Sequence, residues 1–372
     1  MRHWKTVMPE PLKNLFNEQS VDVLAQAVGN VYPPFDRAAL MASVFNPDWE
    51  SLELKARMRH VTTCLRALLP SSYGEALGIL RDAARAPVSF GFLAMVFPDF
   101  VEVYGLREWD ASLPALEQFT QIGSAEFAVR PFIAQNPDRM MAQMIAWAHH
   151  ENVHVRRLAS EGCRPRLPWG MALPVFKLDP APILPILDRL KLDEEEYVRR
   201  SVANNLNDIS KDNPQVVIDV LSRWKAHDTP EMQRIITQGL RTLVKKGDPD
   251  ALALLGYAHT GQYEVRDLFV EPDEVPAGGE MTFSFAVHSS SGETQNLVID
   301  YIVHLMRANG QPTPKVFKLT KLALPPGGAL NVVKRHSFRP VTTRRYYPGA
   351  HAIEIQVNGQ VMARREFTLC EG

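Results

Sequence analysis

A chain of 372 residues carries 41 Lys and Arg against 42 Asp and Glu, a formal net charge of -1. That balance excludes a uniformly basic nucleic-acid binder, so any nucleic-acid surface has to be local and offset elsewhere by acidic residues. The length predicts two or three domains, and three scattered cysteines, Cys64, Cys163 and Cys370, exclude a disulfide framework and point to a reducing, cytoplasmic compartment.

Met1-Arg2-His3-Trp4-Lys5 leads into polar, amphipathic sequence with no apolar signal core, and no later run is long and apolar enough for a membrane span. Residues up to about 262 read as helix pairs. Glu126-Phe127-Ala128-Val129-Arg130 sets a glutamate one helical turn before an arginine, the spacing of an ordinary i, i+4 surface pair. A helix follows over 137–148, with Met140, Met141, Met144, Ile145 and Ala148 on one stripe. Its start, Asn136-Pro137-Asp138, combines a capping side chain, a proline at a position whose N–H is spare, and an acid in the first turn. The same device returns at Asp179-Pro180, Asn213-Pro214, Thr229-Pro230 and Asp248-Pro249.

His149-His150-Glu151-Asn152-Val153-His154 falls at a helix–helix turn without a clear fourth ligand, and no metal is expected there. In the next helix Val155, Leu158 and Ala159 share a buried stripe, while Arg157 and Glu161 stand four apart on another face. Gly162 and Pro165 end that helix, and Arg164 and Arg166 are expected to project from the loop ahead of Trp169. Cations beside an aromatic plane suit phosphates and a stacked base; alternatively, Trp169 plugs the gap between repeats and the arginines are solvated. Val155-Arg156-Arg157-Leu158-Ala159 recurs as Val198-Arg199-Arg200-Ser201-Val202, an offset within the roughly 40–47-residue period of HEAT repeats. Helices at 137–148 and 181–192 precede the two copies, and a third pair follows at 214–226 and 230–245. Stacked pairs of this kind bury what one pair cannot and curve to leave a concave surface.

Asp193-Glu194-Glu195-Glu196 suits a helix start. In the helix beyond it, Val198, Val202, Leu206 and Ile209 form the buried face, with Arg200, Asn204, Asp208 and Lys211 opposite. Asn204, Asn205 and Asn207 are unfavourable in a helix interior; they mark either a polar binding face or fraying towards Asn213-Pro214. No phosphate-binding GxxxxGK[ST] loop or GxSxG elbow occurs.

After residue 262 the period becomes two, at 282–288, 297–306, 330–338 and 352–357, with turn signals between the runs. Asn358-Gly359 is a two-residue hairpin signal. About seven strands at this spacing predict an immunoglobulin-like β-sandwich over 263–372, after a helical domain over 1–262. Lys334-Arg335-His336 and Arg344-Arg345-Tyr346-Tyr347 are read as cations and aromatics near loops, either part of a binding surface or guarding a solvated strand edge.

Residues 124–132, 155–169 with its Arg-Leu-Ala-Ser-Glu-Gly and Arg-Pro-Arg-Leu-Pro-Trp cores, 202–214, and the stretch from Asn14-Leu15-Phe16 to Tyr32-Pro33-Pro34-Phe35 resemble the AlkC branch of the HEAT-repeat alkylpurine DNA glycosylases. The sandwich is similar to the immunoglobulin-like domain that some members carry. The resemblance implies excision of cationic N3-alkylated bases, 3-methyladenine and 3-methylcytosine, from double-stranded DNA. It implies a monomeric, monofunctional enzyme that acts without flipping the base and needs neither metal nor cofactor. Carried onto this sequence, it places Glu126, Glu161, Trp169 and Asp208 around the lesion and assigns DNA contacts to Arg157, Arg164, Arg166, Asn205 and Lys211. The competing expectation is a non-catalytic HEAT scaffold that binds a protein partner or damaged DNA.

Overall fold

A capping acceptor followed by proline opens the helices at the expected places. Asn136 accepts from the Arg139 N–H at 3.1 Å at the start of the Pro137–Trp147 helix. Thr229 accepts from Met232 N–H at 3.2 Å ahead of Pro230–Gly239, and Asp248 from Ala251 N–H at 3.0 Å ahead of Pro249–Leu254. Each such cap contributes about 1 kcal/mol. At Asp179-Pro180 the bond to Ala181 N–H also forms, at 2.9 Å, but the first turn is a tight 3₁₀ turn, Ala181–Ile183, before Leu184–Leu190. Pro182 and Pro185 withdraw donors there, which suits the tighter turn.

The computed structural model describes residues 11–257, 261–340 and 345–371, so Met1 to Lys5 and Arg344 lie outside the described residues. The chain divides into two units, Met1–Asn213 and Pro214–Gly372. The first is helical from Glu18–Val31 to Glu196–Ile209. Val155, Leu158 and Ala159 are fully buried, as are Val198, Val202 and Leu206 in the recurring motif. Against that apolar packing, the seam between Val153–Gly162 and Glu196–Ile209 is polar. Ser201 Oγ donates to Glu161 Oε2 at 2.6 Å and lies 3.0 Å from Ser160 Oγ, and Asn205 Nδ2 donates to the Ser160 carbonyl at 2.8 Å. Gly162 ends the first of these helices at a close approach: a Cβ there would stand 2.6 Å from Val129 Cγ2 and 3.0 Å from Met144 Cε. No helix among the described residues is long and apolar enough to cross a membrane.

The second unit begins with Pro214–Trp224, Pro230–Gly239, Arg241–Lys246 and Pro249–Leu254. Eight strands follow: β1 (Tyr263–Glu271), β2 (Glu274–Val275), β3 (Glu280–Ser289), β4 (Gln295–Met306), β5 (Pro312–Leu324), β6 (Ala329–Ser337), β7 (Gly349–Val357) and β8 (Gln360–Leu369). They form a three-stranded sheet, β1-β3-β6, and a five-stranded sheet, β2-β8-β7-β4-β5, enclosing Phe283, Phe285, Tyr301, Ile353, Phe338 and Phe367. The β7–β8 hairpin turns at Asn358 (φ 46°) and Gly359 (φ 82°), the left-handed pair that a two-residue turn of this type demands. The long edge strand β5 escaped the alternation pattern because Lys315, Lys318 and Lys321 interrupt its apolar residues; Lys318 pairs with the buried Asp300 at 2.8 Å. Lys334, Arg335 and His336 lie within β6, not near a loop: β6 is a sheet edge, the two cations are exposed and His336 is turned into the core.

Candidate active site

Three carboxylates from separate parts of the helical unit meet in a file of alternating charge. Glu126 precedes the Val129–Gln135 helix, Glu161 stands near the end of Val153–Gly162, and Asp208 near the end of Glu196–Ile209. Arg157 Nη1 donates to Glu126 Oε2 at 2.6 Å, and its Nη2 lies 3.3 Å from Glu161 Oε1. Arg164 Nη1 donates to the same Glu161 oxygen at 2.7 Å, while its Nε donates to Asp208 Oδ2 at 2.8 Å. Lys211 closes the file at 2.9 Å from Asp208 Oδ1. Ser124 Oγ adds a 3.1 Å bond to Glu126 Oε2. Burial works to lower the pKa of both arginines, but the adjoining carboxylates, Glu161 foremost, more than offset it and hold both guanidinium groups above the ordinary value.

Both ends of the recurring motif serve this arrangement. In the first copy, Arg157 and Glu161 stand one turn apart and face the site. In the second, Ser201 takes the place that Leu158 holds in the first, and its hydroxyl satisfies the remaining Glu161 oxygen. That serine was the visible signal of a polar partner in the sequence, and it was missed. Tyr197 was missed too: the Arg157 guanidinium lies 5.1 Å from its ring centre.

Several expected placements change. Glu126 and Arg130 do not form a surface pair. Arg130 is fully buried and donates from Nε to the Met171 carbonyl and from Nη1 to the Gly162 carbonyl at 2.9 Å, while Glu126 turns to Arg157. Burial pushes the Arg130 guanidinium down to about 10. Asp208 was expected on the outward face, but is 1% exposed and points into the file. Asn205 was expected to contact DNA, but is fully buried and bonded to the Ser160 carbonyl. Arg164 does not project from its loop: it is 6% exposed and shared between two carboxylates. Arg166 does reach outward, forked onto Asp212 at 2.9 and 2.6 Å.

Trp169 is 64% exposed, so it plugs no gap between repeats. Its backbone has φ 61°. The asparagine-rich helix continues to Ile209 without fraying. Histidines at the 149–154 turn have local partners: His149 Nδ1 accepts from Arg189, and His150 lies 3.6 Å from Glu117. Among the described residues no cluster of His, Cys, Asp and Glu has the makings of a metal site. Cys163 is buried against Asn205 with its thiol pushed up to about 12 by desolvation, which makes it an inert core residue.

A family model described as "DNA alkylation repair enzyme" matches residues 119–238, the segment that holds the whole charge file, and one described as the C-terminal Ig-like domain of protein YhaZ matches residues 264–371. YhaZ of Bacillus subtilis is 44% identical over 359 residues, covering 96% of this chain and 99% of that protein. The structure of the alkylpurine DNA glycosylase AlkC of Pseudomonas fluorescens, bound to DNA containing an abasic site analog, matches with a TM-score of 0.87 at 36% identity, over 97% of this chain and 100% of that one. The chain belongs to the AlkC-like family of DNA alkylation repair enzymes, with HEAT-like helices followed by an immunoglobulin-like domain.

Proposed function

We propose that this protein is a monofunctional DNA glycosylase that hydrolyses the N-glycosidic bond of cationic N3-alkylated bases, 3-methyladenine and 3-methylcytosine, in duplex DNA. Residues 1–262 form the glycosylase domain and 263–372 the sandwich. The reading is carried by the file of Glu126, Glu161 and Asp208, held in place by Arg157, Arg164 and Lys211, on a chain whose solved relative was captured with abasic DNA.

N3-alkylation puts a positive charge on the base, so the electron pair of the breaking C1′–N bond neutralises the leaving group. The positive charge passes to the deoxyribose, which becomes oxocarbenium-like. Carboxylates already oriented by arginines stabilise that charge without reorganising. Water adds to C1′ and passes its proton to one of these carboxylates, from which it returns to solvent, leaving an abasic site and a neutral base. Trp169 offers its π face to the cationic base or the flanking nucleotide. Arg157 and Arg164 hold the carboxylates, and the more exposed Arg166 and Lys211 turn to phosphates. The lesion is attacked without being flipped into a pocket.

The test is release of free base from a duplex carrying 3-methyladenine or 3-methylcytosine, with no added metal. Release by the wild type and not by Glu161→Gln supports both the reaction and the site. DNA binding without release makes the protein a damage binder; neither binding nor release makes it a HEAT scaffold for a protein partner.

A further inference from the structure

Trp169 holds a left-handed backbone, φ 61°, where a residue with a Cβ is strained. Such a conformation persists only when its surroundings over-determine it. Two cations from distant parts of the chain do so. Lys55, on the Leu54–Ala67 helix, donates from Nζ to the Trp169 carbonyl at 3.0 Å. The same ammonium lies 4.5 Å from the ring centre of Phe127, next to Glu126. Arg130 holds the other side, donating to the Met171 carbonyl and to the Gly162 carbonyl, one residue beyond Glu161. Its Nη2 is buried without a partner, so this guanidinium stays inside at a cost to hydrogen bonding. The loop's own bonds, Gly170 N–H to Leu167 carbonyl at 3.1 Å and Leu173 N–H to Pro165 carbonyl at 3.2 Å, leave the Trp169 carbonyl to Lys55.

We propose that Lys55 and Arg130 are positioning residues for Trp169. Arg130 seats the base of the loop on the helix that carries Glu161, and Lys55 latches the Trp169 peptide in its left-handed conformation. Together they set the direction in which an exposed indole meets nucleic acid. The consequence for excision rests on the glycosylase reading; the latch itself does not.

The experiment uses the full chain with Lys55→Met, Lys55→Arg, Arg130→Lys and Trp169→Ala. Without DNA, the anisotropy decay of Trp169 is isolated by difference against Trp169→Phe. Lys55→Met is expected to roughly double the amplitude of fast local motion of the indole, on the nanosecond scale, and Lys55→Arg to restore it. In single-turnover excision, Lys55→Met is expected to slow base release about tenfold while affinity for undamaged duplex holds. Neither Lys55→Met nor Arg130→Lys should slow release further once Trp169 is alanine, because positioning acts only through the ring. Unchanged indole motion in Lys55→Met overturns the proposal, as does a full additional loss in the Trp169→Ala background. Weaker binding to undamaged duplex with a flatter salt dependence also overturns it, making Lys55 a phosphate contact. If the wild type releases no base, the glycosylase reading fails, and the indole motion alone decides the latch.

Discussion

Arg164 reaches Asp208 across 44 residues of chain, donating from Nε to Oδ2 at 2.8 Å. The same guanidinium holds Glu161 at 2.7 Å, so one side chain fixes the separation of two carboxylates that come from different repeats. Arg164→Met leaves both acids buried and short of a cation. A loss of about 3–5 kcal/mol in unfolding free energy is expected, read by denaturant melts. Arg164→Lys keeps the charge but lacks the fork and should fall between the two. A melt within about 1 kcal/mol of wild type for Arg164→Met would show that Arg164 does not hold the pair.

Glu161→Gln and Asp208→Asn keep shape and remove charge. If these acids stabilise the oxocarbenium-like sugar, excision falls by about tenfold or more while duplex affinity persists. Single-turnover release alongside equilibrium binding separates the two effects. Full activity in both variants sinks the assignment.

Lys211 and Arg166 are the more accessible cations around the file. Each neutralised phosphate contributes close to one unit to the slope of log K against log salt. Lys211→Met and Arg166→Gln are each expected to lower that slope by about one. A binding titration at several salt concentrations measures it, and an unchanged slope removes the residue from the phosphate contacts.

Lys334 and Arg335 stand exposed on the edge strand β6, and Arg335 pairs with Glu280 at 3.2 Å. If the sandwich touches DNA through this edge, Lys334→Gln with Arg335→Gln lowers affinity and flattens the salt dependence. Unchanged binding leaves them as charges that keep the edge from pairing with another sheet.

His336 is buried among Tyr301, Phe317 and Phe338, and desolvation lowers its pKa to about 4. Between its ordinary value near 6.5 and 4, the unfolded chain takes up a proton that the folded chain refuses. Stability therefore falls as pH drops through that window, by about 3 kcal/mol at most. In thermal melts from pH 7 to 4, the stability difference between wild type and His336→Phe should shift in favour of the variant as pH falls, because only the wild type carries this proton linkage. Parallel curves would mean that His336 does not titrate as its burial requires.

The fold was largely legible because caps, prolines and the repeated Val-Arg-Arg motif are local signals. Strand β5 was not, since an edge strand that points lysines outward loses the apolar alternation on which the reading depends. Within the candidate site, the types of residue were legible and their partners were not. Glu161 and Arg157 share a helix face and could be paired from spacing. Glu126 has an arginine at the right spacing on its own segment, yet its partner comes from the next repeat. Helical periodicity put Asp208 opposite the apolar face, but a seam lined by Ser160, Ser201 and Asn205 buries polar faces as well. Lys55 carried no signal, because its acceptor is a backbone carbonyl 114 residues away.

Since Glu161 and Asp208 ride on separate helices and Glu126 on the turn before a third, their geometry depends on residue count as much as on residue type. One residue inserted between Ser201 and Asp208 would preserve every side chain of the file and turn Asp208 by about 100° around its helix. Its carboxylate would leave Arg164, while Ser201 would stay on Glu161. Point substitution can therefore wear this site down gradually, whereas a single-codon insertion in the helix dismantles it at once.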